Sequence, residues 1–161
     1  MNRIAVRSSA CRLALLVAGL LMWCPTGSEA GDSVADKALC TRIWGEYLEA
    51  VRGLQPEKVA AWFTKDAVLI YPDIVELSGR EAIRAHFVKV FPDVKIFELT
   101  FRLDRFEVVG SHAYTFATVN ELVQEGSAPQ ARLHARCAVA WQQQPDMSWQ
   151  IAYFIVNYAK V

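Results

Sequence analysis

Four residues have side chains suited to a reaction or to holding a ligand: His86, Asp73, Tyr47 and Tyr71. An imidazole titrates near pH 6.5, so His86 is the residue here suited to proton transfer without large tuning. It lies in "LSGREAIRAHF", Leu77 to Phe87, beside an apolar face of Ile83, Phe87 and Val90 and not opposite it. That position fits either a half-buried structural histidine or one that looks into a pocket. Asp73 follows Tyr71-Pro72 and is a second candidate base. A phenol titrates near pH 10, so Tyr47 and Tyr71 suit hydrogen bonding better than proton abstraction. The histidines and cysteines are scattered, with no CxxC or HxxxH spacing, so no metal site is expected. There is no Gly-rich phosphate loop and no Ser-His-Asp order, and no bound cofactor is inferred.

The elements that must position these groups read as helices first and strands after. Leu39, Ile43, Tyr47, Leu48 and Val51 recur at helical spacing between a capping Asp32 or Ser33 and a stop at Gly53. Pro56 opens a short second helix. "AVLIY", Ala67 to Tyr71, is a short strand. Ser78 and Glu81 have capping-box spacing and predict a third helix up to Phe91, where Pro92 blocks continuation. Four long strands follow: Val94–Val109, His112–Gln124, Arg132–Gln142 and Ser148–Ala159. In the first of them Phe97, Leu99, Phe101 and Leu103 share one side. Phe106 and Val108 then continue on the other parity, which predicts a bulge at Asp104-Arg105. Short turns make these strands an antiparallel meander, and the helices can cover one face. The fold class is α+β, a strongly bent sheet wrapped over three helices as a cone with an open end.

The third long strand places Arg132, His134 and Arg136 on one parity and Leu133, Ala135, Cys137, Val139 and Trp141 on the other. Two readings stay open: a polar face in water or at a dimer interface, or Arg136 or His134 entering the cone to meet a ligand. Tyr114, Tyr153 and Asn157 are further candidates for polar lining. Trp44, Trp62, Trp141 and Trp149 are expected in the core.

The first thirty residues differ from the rest. Arg3, Arg7 and Arg12 precede an apolar run, Leu13 to Trp23, and Ser28-Glu29-Ala30 ends it. This is the layout of a cleaved secretory signal, with residues 1–30 removed near Ala30 and a domain at 31–161. Cys24 raises a lipoprotein alternative, against which Trp23 stands. The expected product is exported, periplasmic or secreted, and not embedded in a membrane. Removing the signal takes 17 basic and 17 acidic residues to 14 and 16, a net of about −2. With no basic run, a nucleic-acid partner is not expected. Only Cys40 and Cys137 remain outside the signal, and an exported chain can pair them. A bridge over so long a loop would stabilise by about 3–4 kcal/mol; the alternative is two small buried residues that never meet.

This order of elements resembles the SnoaL-like group of the nuclear transport factor 2-like superfamily. The likeness is carried by "YLEAVRGLQPEKVAAWFTKDAVLIYP" (Tyr47 to Pro72), "LSGREAIRAHF" and "ARCAVAWQQQPDMSWQIAYFIVNY" (Ala135 to Tyr158). The superfamily holds ketosteroid isomerases, polyketide cyclases, dehydratases and epoxide hydrolases, together with non-catalytic assembly domains. Aligned on "AWF", the resemblance puts Tyr47 at the isomerases' substrate-oxygen donor. It puts Tyr71 at their aspartate base, His86 at a third-helix aromatic of the pocket wall, and Cys137 near their second acidic donor. A tyrosine at the base position argues against steroid isomerisation. Tyr153-Phe154-Ile155 and Asn157 stand where many relatives carry a histidine-rich end.

Three functions follow from these residues. The first is a pocket for a small, mainly apolar molecule, with aromatic polar lining and no evident base. The second is a lyase, isomerase or hydrolase using His86 or Asp73 with Tyr47 and Tyr71. The third is an assembly or partner-binding module that uses the outer sheet face. By resemblance, the chain is expected to form a homodimer.

Overall fold

The computed structural model describes residues 33–72 and 76–159. The expected signal at 1–30, its cleavage site at Ala30, and Asp73 lie outside them.

Helix α1 spans Val34–Arg52 and starts where the Ser33 hydroxyl accepts from the Asp36 N–H at 3.0 Å. Its buried stripe is Cys40, Ile43, Trp44, Tyr47 and Leu48. Helix α2 is one short turn, Pro56–Ala60. Strand β1 (Phe63–Ile70) is longer than Ala67–Tyr71, because its start pairs with the last strand, and Tyr71 falls just past its end. Strand β2 (Leu77–Ser78) and helix α3 (Arg80–Val90) follow, then a 3-10 turn at Phe91–Asp93.

The Ser78–Glu81 capping box does not form. Gly79 takes the cap position with φ 89°, a conformation that favours glycine, and its N–H donates to the Ala67 carbonyl at 2.7 Å. This holds Ser78 in β2 against β1, so its hydroxyl donates to Glu76 and accepts from no N–H of the helix. Glu81 accepts instead from Arg84 at 2.9 Å. Arg80 fastens the start of α3: its Nε donates to the Phe63 carbonyl at 2.6 Å and its Nη2 to Gln150 at 3.2 Å.

Four long strands complete the chain: β3 (Val94–Val109), β4 (His112–Glu125), β5 (Ala131–Gln143) and β6 (Trp149–Ala159). The sheet order is β2-β1-β6-β5-β4-β3: an antiparallel meander with β1 added parallel to β6. The bulge expected at Asp104-Arg105 lies between Leu103 and Arg105. A second lies between Ile96 and Glu98, which moves Phe97 off the inner face that Leu99, Phe101 and Leu103 share. Phe97 is accordingly half exposed.

A buried polar knot joins the concave face to α1. The Thr115 hydroxyl on β4 accepts from the indole N–H of both Trp44 and Trp141, each at 2.9 Å, and all three residues are buried. Trp149 is buried as well, and Trp62 packs at the core margin.

Of the two readings of Cys40 and Cys137, the structure has the unbridged one: both are free, buried thiols. Helix α1 advances along β4 from Thr115, which Trp44 reaches, towards Glu121, which lines a cavity with Tyr47. Cys40 precedes Trp44 by a turn, whereas Cys137 pairs with Ala117, on the other side of Thr115. Burial pushes the Cys40 thiol up to about 11, helped by Asp36, and Cys137 up to about 12, helped by Glu121.

Candidate functional site

The open end of the cone is a cavity of about 270 Å³ between α1, α3 and the inner face of β3–β6. A second recess of about 50 Å³ continues it inward past Tyr47, Glu121 and Cys137.

Tyr47, Tyr71 and His86 all line the main cavity. Tyr47 reaches it because α1 turns its buried stripe onto the sheet; the residue is only 3% exposed. Among the described residues, its hydroxyl has no hydrogen-bond partner. Its ring stands edge-on to Phe63, Trp141 and Phe154 at 5.7–6.5 Å. Burial raises the Tyr47 phenol well above the usual range, with Tyr71, Cys137 and Glu121 adding to it. Tyr71 is raised for the same first reason, so both remain neutral donors. His86, one turn inside α3, lies against the Tyr71 ring, with centroids 6.0 Å apart. Partial burial, then Lys89, lowers its pKa, so the neutral ring is favoured. Asp73 lies outside the described residues.

Tyr114, Arg136, Tyr153 and Asn157 are placed away from this cavity. All four are exposed on the convex face of the sheet. Strand alternation explains it: Ala113, Thr115 and Ala117 point in on β4, and Ala135, Cys137 and Val139 point in on β5. On β6, Phe154 and Val156 point in. His134 also faces out, within 2.5 Å of Asn120 Oδ1. The open question about the third long strand therefore resolves to the polar outward face.

Glu121 and Tyr158 line the cavity and were not among the sequence candidates. Glu121 shares the inward parity of β4 with Ala113, Thr115, Ala117, Val119 and Val123. An acidic residue among the small and apolar residues of that parity, ahead of Glu125 at the strand end, was the available signal. Its ladder partners on both sides are leucines, Leu99 and Leu133. Burial alone raises its carboxyl above the ordinary glutamate value. Tyr158 stands at the rim, its phenol raised by burial and then by Glu121.

The cavity is thus a small aromatic and aliphatic cup with neutral phenol donors and one half-buried carboxylate, that of Glu121. Among the described residues, no three His, Cys, Asp or Glu side chains converge as metal ligands, and no helix is long and apolar enough to cross a membrane.

This helix-filled cone with an open end carries the signature of a known domain, and residues 44–144 match the SnoaL-like domain family. The chain belongs to the SnoaL-like family. Solved structures share the SnoaL-like architecture at low identity. A ketosteroid isomerase-like protein from Erwinia carotovora atroseptica superposes with a TM-score of 0.71 at 16% identity, covering 80% of this chain and all of that one. A conserved protein from Planctomyces limnophilus gives 0.65 at 20% identity, covering 78% and 98%. An NTF2-like protein from Cytophaga hutchinsonii gives 0.65 at 10% identity, covering 76% and 98%. At these identities the likeness is one of fold, and chemistry has to be read from the site itself. No curated protein matches the chain in sequence.

Proposed function

We propose that this SnoaL-like domain is an exported pocket protein, spanning 31–161 after cleavage near Ala30, that binds a small and mainly apolar molecule in the cone cavity. The observation that carries the reading is the cavity itself. Tyr47, Tyr71, Phe87 and Phe91 give it aromatic walls, and the hydroxyl of the buried Tyr47 residue has no hydrogen-bond partner among the described residues. Such a cup, apolar with a few convergent polar groups, is the usual form of a small-molecule site. Its volume suits a ligand of roughly one or two rings.

The outer sheet face supports assembly as a homodimer in the same proposal. Tyr114, Ala140 and Tyr153 form one cross-strand row, and Phe116, Ala138 and Ile155 the next. Phe116 is 54% exposed and Tyr153 59% exposed, so bulky rims flank a shallow alanine strip on the outer sheet face. An exposed apolar patch of this kind fits a second copy related by a twofold axis.

Native mass spectrometry of the exported protein tests both parts. A dimer carrying a discrete extra mass, lost on changing Val51→Trp at the cavity wall, is the expected result. If the Val51→Trp protein remains folded and keeps the same bound mass, the cavity is not the site. An exported chain retaining residues 1–30 would refute the cleavage.

A further inference from the structure

Glu121 is the unusual group in the cavity, and the ligand's charge follows from what surrounds it. Among the described residues that line the main cavity and its inner recess there is no lysine and no arginine. Glu125 adds a second acidic group at the mouth, and His86 is the one lining side chain able to carry positive charge. Its neutral form is favoured. Leu99 and Leu133 flank Glu121 on the neighbouring strands, so the sheet offers it no partner. The groups it does influence are Tyr47, Tyr71, Tyr158 and Cys137, all neutral at physiological pH.

We propose that the cone cavity selects a molecule with a protonated amine on an aromatic or aliphatic body, its ammonium set against Glu121 and its apolar part against the rings of Tyr71, Phe87 and Phe91. This deepens the pocket reading and rests on it. Three physical reasons favour a cation. A half-buried carboxylate without a partner among the described residues is costly, and a ligand ammonium supplies the missing charge. Aromatic faces carry negative potential and attract ammonium groups. An anionic ligand would meet Glu121 and Glu125 with no lysine or arginine among the described lining residues to offset them, and a neutral one would leave Glu121 without a charged partner. The Tyr47 hydroxyl, which has no hydrogen-bond partner among the described residues, supplies a second polar contact in the lining. The protein spends stability on this arrangement when empty, which is the usual mark of a binding group.

The test uses the exported, full mature protein and matched triads of amine, alcohol and carboxylate on indole, phenyl and cyclohexyl bodies. Tryptamine, tryptophol and indole-3-acetate form the first triad. Binding is read by ligand-observed NMR and calorimetry. In at least one triad the amine should bind about tenfold more tightly than its alcohol, a difference of about 1.4 kcal/mol. Glu121→Gln should remove that preference while leaving the alcohol within about twofold. Amine affinity should also fall on acidification as Glu121 takes up its proton. The other titratable groups facing Glu121 are Tyr47 from α1, Tyr71 after β1, Cys137 from β5 and Tyr158 from β6, with Glu125 and His86 at the mouth. The tyrosines and Cys137 titrate on the alkaline side. Glu121→Gln therefore identifies the acid-side response as that of Glu121 if the response disappears, and a response that persists counts against the proposal. Alcohols or carboxylates binding as well as amines, or an amine preference that survives Glu121→Gln, would overturn it while the pocket reading stands. Absence of binding across all triads would overturn both.

Discussion

Replacing Thr115 by valine should show how much one hydroxyl holds the cone together. Valine has nearly the same shape, so packing around position 115 is kept. What disappears is the acceptor for two indole N–H groups, those of Trp44 and Trp141, each bonded at 2.9 Å in a fully buried setting. A buried donor left without a partner costs about 1–3 kcal/mol, so the pair should cost about 2–6 kcal/mol. That is a large share of the 5–15 kcal/mol typical of a domain. Thr115→Ser keeps the acceptor and loses a methyl group, worth about 1 kcal/mol. Urea unfolding followed by tryptophan fluorescence gives both values. A double-mutant cycle with Trp44→Phe should show coupling of at least about 0.5 kcal/mol, because the phenyl ring has no N–H to strand. If Thr115→Val is no more destabilising than Thr115→Ser, the two indoles do not depend on this hydroxyl and the knot is only packing. The consequence reaches the site, since Trp44 is one turn from Tyr47 on α1 and fixes how deeply that helix seats.

Glu121→Gln should stabilise the empty protein at pH 7.5. Its folded pKa is raised by burial, so its favourable contribution exists below about pH 4.3 and is lost as pH rises through the folded value. Thermal melts at pH 4 and 7.5 should show the advantage of Gln only at the higher pH; an equal shift at both would contradict the burial cause. His86 has the opposite sign. Its folded pKa is lowered, so its contribution is full above about pH 6.5 and lost as pH falls through the folded value. His86→Gln should flatten the loss of stability below pH 6.5, and an unchanged slope would place the acid sensitivity elsewhere. Tyr47→Phe keeps the ring and should change unfolding free energy by less than about 1 kcal/mol, yet weaken a bound ligand about two- to tenfold. No change in affinity would show that the hydroxyl does not touch the ligand. Ile155→Glu on the outer face should give monomers by sedimentation with an unchanged circular dichroism spectrum; dimers that persist would move the interface off the Phe116–Ala138–Ile155 row.

Much of the scaffold was legible because it rests on local periodicity. The stripe on α1, the Ser33 cap and the alternation of β4 and β5 each have a period that sequence exposes directly. The bulge at Leu103–Arg105 was readable because the apolar parity slips there. The second bulge near Phe97 was not, since a phenylalanine pointing outward looks like any other apolar residue in the row. The failed capping box has a similar origin. Ser78 and Glu81 have the right spacing, but β2 pairing with β1 claims Ser78 first, and a nonlocal pairing leaves no local mark.

Tyr47, Tyr71 and His86 came to the cavity through residues that a resemblance could align. Tyr114, Arg136, Tyr153 and Asn157 did not, because a strand has two faces of equal spacing and only the position of the helices says which is inside. The same ambiguity hid Glu121, an inward charge that alternation could have flagged once its face was known. The sequence by itself determined which segments become helices and strands, and the α+β class of the SnoaL-like family. The tertiary structure alone decided which strand face encloses the cavity, that Cys40 and Cys137 stay apart, and that a carboxylate ends up among phenols. Those outcomes rest on nonlocal contacts such as that of Trp44 with Thr115, 71 residues apart in the chain.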